Sequence, residues 1–311
     1  MKAGKEITVM QIVYAKSVQG ASHKKREEMP ENKETGRLFP CEDRSFAEQL
    51  TSVDGIKFTF LCVCDGHGGA PYFRSGRGAE LAIEVLKDIL IRNMKNICTL
   101  VNQKAFEKVK NNLAEAIVRR WKLCIDQELK ENPIKEEELL LLEKEDSEAA
   151  QYYRKGEDLY SIFGCTLVAC FVTDNFWYAL QIGDGAIALS YYGKDFFPPV
   201  PEDPNCFLNQ TTSLCDSNAK DEFRYAFGYK LPQCIFCMSD GVENSFGSAE
   251  ELGKKFCANV AALPGKLSAS QPTEDDYILK NLFKKEIDDY LPVLSSKGSG
   301  DDVSVAMIIG A

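Results

Sequence analysis

The stretch Ile56-Lys57-Phe58-Thr59-Phe60-Leu61-Cys62-Val63-Cys64-Asp65-Gly66-His67-Gly68-Gly69 decides how this chain is read. Its first nine residues are mostly β-branched, aromatic or cysteine, which predicts a strand over 56–64. The run stops abruptly at an acid and three glycines, so the Asp65 carboxylate stands at a strand end. The same arrangement recurs along the chain. Asp184 sits in the turn after a predicted strand over 176–182, and Asp240 follows one over 234–238. Asp301 and Asp302 precede one over 303–309, and Glu42 and Asp43 open a fifth.

Acids at strand ends, beside Gly66, Gly183, Gly185, Gly241 and Gly300, are placed to converge at one edge of a sheet. Glycine there permits tight turns and close backbone approach to an ion. Oxygen-only ligands suit hard cations such as Mg²⁺ or Mn²⁺. One Asp-Gly taken singly is also an ordinary hairpin signal. Five acidic strand ends in one chain are harder to explain that way.

The chain has only two histidines, His23 and His67, which excludes a His-rich zinc hydrolase and the H-E-x-x-H class. His67 lies two residues after Asp65, near any metal that Asp65 holds. No P-loop, dinucleotide fingerprint or EF-hand pattern is present. Ser239, in Met238-Ser239-Asp240-Gly241, does not sit in a nucleophile elbow.

Elsewhere the periodicity sketches an α+β layered domain. An opening strand is expected over 6–15 and a polar loop over 22–35, with Pro30 and Gly36 as breakers. Helices are expected over 78–97, with an apolar stripe of Leu81, Val85, Leu86, Ile89 and Leu90, and over 105–129. An acidic, Leu-rich helical excursion follows near 134–160. Strands over 165–172, 176–182 and 187–192, joined by short turns, favour an antiparallel meander. The stretch 196–227 carries four prolines and reads as a long, flap-like surface excursion. Helices over 249–263 and 274–291 complete the pattern.

The 311 residues can bury a sizeable core, and 44% hydrophobic with 27% charged residues is ordinary for a soluble globular protein. A net charge of −10 argues against nucleic acid or an anionic membrane surface as partner. No apolar run suits a signal peptide or a membrane span of about 18 residues, so a cytoplasmic protein is expected. Most of the twelve cysteines lie in apolar runs and read as small buried hydrophobes. Cys234 and Cys237 have C-x-x-C spacing, but on a strand they point to opposite faces, and no second pair completes a zinc site.

Taken in order, Cys41-Glu42-Asp43, Asp65-Gly66-His67-Gly68-Gly69, Gly164-Cys165-Thr166, Gly183-Asp184-Gly185, Ser239-Asp240-Gly241 and Gly298-Ser299-Gly300-Asp301-Asp302 resemble the motifs of the metal-dependent 2C-type serine/threonine protein phosphatases. Ser17-Val18-Gln19-Gly20-Ala21-Ser22-His23, followed by Pro40-Cys41-Glu42-Asp43, is similar to a bacterial branch of that family. The resemblance implies one phosphatase domain over 1–311, a four-layer α/β/β/α sandwich with two central antiparallel sheets. It implies two Mn²⁺ or Mg²⁺ ions per site and room for a third. Asp65 would bridge the two metals, with the Gly66 carbonyl completing one of them. Asp240 and Asp301 would bind the first metal, and Glu42 would serve the second. Asp43 would hold metal-bound water, and Asp184 would share a weaker third site with Asp240. His67 would act as general acid toward the leaving seryl or threonyl oxygen. The implied partners are a phosphoprotein substrate and a cognate serine/threonine kinase, with the chain a monomer.

Three departures stand out. Gly185-Ala186 follow where the family often has Ser-Arg, and Asp301-Asp302 replaces the common Asp-Asn. The phosphate-holding Arg expected just upstream of the Glu-Asp pair has Arg37 as its candidate, with His23, Lys24 or Lys25 as alternatives. A catalytically silent member that binds phosphoproteins or scaffolds a kinase is the competing reading. Retention of Asp65, Asp240 and Asp301 speaks for activity. A carboxylate two-metal nuclease is disfavoured by the acidic charge.

Overall fold

Five strands form one antiparallel sheet in a computed structural model that describes residues 11–35, 38–206, 211–270 and 275–310. They are β2 (Arg44–Thr51), β3 (Lys57–Cys64), β4 (Leu167–Val172), β5 (Trp177–Ile182) and β7 (Arg224–Gly228), in the order β2-β3-β4-β5-β7. Four more, β1 (Ile12–Val18), β9 (Val303–Ile309), β8 (Cys234–Met238) and β6 (Ala186–Ser190), form a second antiparallel sheet in that order. Helices α1 (Ala21–Glu27) and α2 (Pro30–Thr35) follow β1. The long pair α3 (Ser75–Asn102) and α4 (Phe106–Glu131) is followed by α5 (Glu136–Glu145) and α6 (Ser147–Arg154). A short α7 (Asp240–Glu243) follows β8. Next, α8 (Ala249–Glu251) runs through a π turn into α9 (Ala258–Ser270), and α10 (Asp276–Lys297) precedes β9.

Side-chain alternation along the strands shows how the layers stack. Phe58, Phe60, Cys62 and Cys64 of β3 join the α3 stripe in one core, together with Leu167, Ala169 and Phe171 of β4. Leu61, Val63, Val168 and Cys170 face the other way, toward Ile235, Cys237, Ala306 and Ile308 of the second sheet. The outer face of that sheet, with Phe236, Met238, Val305 and Met307, packs against Phe283, Ile287 and Leu291 of α10. Because strand residues alternate faces, three cores separate four layers, α/β/β/α. Leu81, Val85, Leu86, Ile89 and Leu90 are all buried, as the stripe predicts. Cys234 and Cys237 fall in different cores, and all twelve thiols are free.

Three local expectations need correction. The stretch expected as a loop over 22–35 contains α1 and α2. Pro30 opens α2, where a missing N–H costs nothing and φ is already set. The first turn of α1 is fixed by distant groups, with Ala21 N–H donating to Ser295 Oγ at 2.9 Å and Ser22 N–H to Gly300 O at 2.8 Å. The meander also stops one strand early. After β5 the Gly183-Asp184-Gly185 turn carries the chain into the second sheet, where β6 pairs with β8 (Ala186 opposite Met238). Finally, the excursion begun at 196 is not all surface. Leu214, Ala219 and Phe223 are buried, and Arg224–Gly228 returns as edge strand β7 beside β5. The opening strand is described from Ile12, and residues 6–10 of the expected stretch lie outside the described residues. Among the described residues no helix is long and apolar enough to cross a membrane.

Candidate metal centre and catalytic cleft

The strand ends meet as expected. His23, Glu42, Asp43, Asp65, Gly66, His67, Asp184, Asp240, Asp301 and Asp302 all line one cleft of about 170 Å³, with Gly68, Thr166 and Thr211 completing its wall. Two glycines make the convergence possible. A Cβ on Gly66 would lie 2.7 Å from the Glu42 carbonyl, so only glycine brings that loop against the Glu42 backbone. A Cβ on Gly241 would lie 1.9 Å from the Asp302 carbonyl, so the β8 and β9 ends can approach only there. The loop after β3 is tied to the stretch before β4. Asp65 N–H donates to Thr166 Oγ1 at 3.1 Å, and Thr166 N–H donates back to Asp65 O at 2.8 Å.

The electrostatics of the cleft are those of crowded acids. Burial, then Asp43 and Asp240, raise the Asp65 pKa well above the carboxylate range, and Asp65 hydrogen-bonds Asp240. Burial likewise raises Asp240. Glu42 is pushed up to about 7, mainly by burial and against the pull of His23. Asp43 is 1% exposed, is pushed up by burial and then by Asp302, and its Oδ2 has no hydrogen-bond partner. No Lys or Arg lines the cleft among the described residues.

These residues fit divalent cations. Acids that burial and mutual repulsion drive toward protonation are relieved equally well by a cation, and the donors are all oxygen. The orphaned Asp43 Oδ2 is a further acceptor awaiting a partner. No three acidic, His or Cys side chains among the described residues already close round a common point; Asp65 and Asp240 pair with each other instead.

Asp302 has a role that the motif did not reveal. It is 5% exposed and takes N–H bonds from Gly20 on Oδ1 and Glu42 on Oδ2, both at 2.6 Å. His23 Nδ1 lies 3.2 Å from the same Oδ1. Burial alone would raise its pKa, but the His23 ring beside it and the N–H bonds from Gly20 and Glu42 hold it below the usual range. Asp302 therefore positions Glu42 and His23, and the extra acid acts as an anchor. Asp302→Asn keeps the shape but offers one acceptor oxygen to these donors and turns an NH₂ toward another. The expected cost is about 1–3 kcal/mol, on the scale of bonds to a charged group. Thermal melting at neutral pH should show it. The wild-type advantage should shrink below roughly pH 4, where the depressed Asp302 pKa is crossed. Equal melting at both pH values would show that Asp302 is no anchor.

His67 lies in the cleft wall. Its backbone N–H donates to Gly164 O at 3.0 Å, its ring meets Tyr72 edge-on at 5.1 Å, and its Nε2 lies 2.7 Å from Ser213 Oγ. Burial lowers its pKa, with Asp184 and Asp216 pulling the other way. The Asp184 turn is braced from below. Gly183 N–H donates to Thr212 Oγ1 at 2.9 Å, Thr212 Oγ1 donates to Asp203 Oδ2 at 2.8 Å, and Arg224 donates to the Gly183 carbonyl. Beside it, burial and then Asp184 and Asp240 push Glu243 up to about 7, an acid no motif singled out.

Of the basic candidates, His23 lines the cleft, whereas Lys24 and Lys25 are exposed on α1 and do not. Arg37 lies outside the described residues. Arg26, passed over in the sequence, stacks on Phe39 at 4.0 Å and exerts its charge on Glu42.

The sequence profile of the family described as protein phosphatase 2C matches residues 36–272. No curated protein matches this chain. Solved structures resemble it over nearly its whole length at low identity. PppA, a key regulatory component of T6SS in Pseudomonas aeruginosa, is 14% identical with a TM-score of 0.52, covering 98% of this chain and 99% of its own. A bacterial serine phosphatase is 12% identical with a TM-score of 0.53, covering 96% and 97%. The Mycobacterium tuberculosis serine/threonine phosphatase PstP/Ppp is 13% identical with a TM-score of 0.50, covering 96% and 98%. With two antiparallel sheets between helices, acidic strand ends in one cleft and a family match over most of its length, this chain belongs to the protein phosphatase 2C family.

Proposed function

We infer that this protein hydrolyses phosphoserine and phosphothreonine monoesters in proteins, with divalent cations held by its acidic cleft. The observation that carries this reading is the convergence of Glu42, Asp43, Asp65, Asp240 and Asp301 in a cleft that no Lys or Arg lines among the described residues. Asp65 would serve both ions, Asp240 and Asp301 would hold the first, Glu42 would serve the second, and the Gly66 carbonyl would complete one of them. Asp184, with Asp240, offers a weaker third position. Mn²⁺ or Mg²⁺ bound there neutralises phosphate charge and brings a water's pKa toward neutrality.

The chain's own groups do the rest. Asp43 accepts a hydrogen bond from the attacking water and orients it. His67 gives a proton to the leaving oxygen. His23, held by Asp302, is the described basic group best placed to meet a phosphate oxygen, with Arg37 as a second candidate. The whole chain, 1–311, acts as one cytoplasmic, monomeric domain in this reading, and a serine/threonine kinase supplies its phosphoprotein substrate.

The test is Mn²⁺-dependent release of phosphate from an aryl phosphate and from a phosphoserine peptide, with Asp65→Asn as control. Turnover that needs the cation and disappears in the variant is expected. A folded wild type without turnover in Mn²⁺ or Mg²⁺ would favour the silent, phosphoprotein-binding alternative.

A further inference from the structure

Ser213 Oγ has more neighbours than protons. It lies 2.7 Å from His67 Nε2, 3.1 Å from the Cys165 carbonyl, 3.2 Å from the Cys215 thiol and 3.4 Å from the Cys215 N–H. A carbonyl oxygen only accepts, so the one hydroxyl proton of Ser213 is what can join it to Cys165. The Ser213 lone pairs are then left for donors, and His67 Nε2 is the nearest of them. Were the hydroxyl proton turned to His67 instead, two oxygens would face each other at 3.1 Å with no proton between them. The loop has little freedom to relieve that. Leu214 N–H donates to the same Cys165 carbonyl at 3.0 Å, and Ser213 N–H to Asp216 Oδ2 at 2.8 Å.

From this geometry we propose that Ser213 is a positioning residue that fixes the His67 tautomer, with the resting proton on Nε2 and a bare Nδ1 presented to the cleft. Nδ1 takes no partner among the described residues and is not among the buried, unpartnered atoms. The other edge of the ring is walled in, because a Cβ on Gly164 would already lie 2.6 Å from His67 Cδ2. Tyr72 meets the ring edge-on with its centroid 5.1 Å away. The consequence rests on the phosphatase reading, although the tautomer does not. Protonated His67 gives its Nδ1 proton to the seryl or threonyl oxygen. An O–H bond forms as the P–O bond breaks, and the ring is left in its resting tautomer without turning.

This 311-residue chain has only two histidines, so ¹⁵N-histidine labelling yields two rings and a His23→Gln variant assigns them. In long-range ¹H–¹⁵N spectra of the neutral form, His67 should show a protonated Nε2 and a bare Nδ1. The opposite tautomer, or an even mixture, overturns the proposal. Ser213→Ala should convert His67 to a mixture, and Ser213→Thr should preserve the wild-type pattern; a Ser213→Ala spectrum like wild type overturns the assignment to Ser213. If the Ala variant does not fold, Ser213→Cys, a weaker partner of similar shape, takes its place under the same criterion. In kinetics, Ser213→Ala should lower kcat on a phosphoserine peptide about 10-fold with KM little changed, lose less on an aryl phosphate, and be rescued by Thr. Equal losses on both substrates overturn the catalytic consequence. A wild type with no turnover refutes the phosphatase reading, and the spectra still decide the tautomer.

Discussion

Asp65→Asn should abolish turnover, by roughly 10³ or more, which is the scale of losing an electrostatic stabiliser at a reacting centre. It should do so without unfolding the protein. The backbone of Asp65 is held on both sides by Thr166, and an asparagine amide can keep the hydrogen bond to Asp240. Removing the charge also relieves repulsion from Asp43 and Asp240, which with burial raises the Asp65 pKa. The cation-free variant should therefore melt at or above the wild-type temperature. The pH dependence has a definite sign. Acids whose folded pKa is raised contribute their full stability below the unfolded value and lose it as pH rises through the folded one. The cation-free wild type should accordingly weaken from about pH 4 through the raised value of about 7 for Glu42, and added Mn²⁺ should restore it. Calorimetric titration should show Mn²⁺ binding weakened in the variant. Wild-type rates for Asp65→Asn in Mn²⁺ would sink the two-cation assignment.

The elements legible in the sequence are those whose signal is local. The strands β3 and β8 are runs buried on both faces that end at an acid, β9 is such a run that begins after two, and the α3 stripe is a helical period on one face. Placing the acids at strand ends was enough to bring them to one cleft, because antiparallel strands of two stacked sheets share an edge. What stayed hidden depends on distant partners. Nothing local distinguishes β6 as a member of the second sheet, since its pairing with β8 is set some fifty residues later. The helix α1 forms where Ser295 and Gly300 receive its first N–H groups, so its polar sequence reads as a loop. β7 is short and half-buried, and it is held by Phe227 stacking on Phe106 and Tyr225 on Tyr178. The Asp302 anchor joins groups 260 and 282 residues away, and Ser213 reaches His67 across 146, so no spacing rule could have found either.

His67→Gln should cost 10²–10⁴-fold, roughly the worth of a general acid, on a phosphoserine peptide and much less on an aryl phosphate. The two substrates separate the roles of the ring. A seryl oxygen departs as a strongly basic alkoxide unless a proton reaches it, whereas an aryl oxide leaves well without one. Glutamine can keep a donor toward Ser213, so the cleft wall should survive and the change should fall on kcat rather than on folding. The pH profile supplies a second sign. Burial lowers the His67 pKa, so its acid form is scarce at neutral pH and scarcer above it. The wild-type kcat on the peptide should therefore carry a limb that falls as pH rises through that lowered value. The variant should lose the limb while keeping whatever limb the cleft acids impose at lower pH. Equal losses on both substrates, with the falling limb intact, would mean that His67 orients water or an ion and that the proton comes from elsewhere.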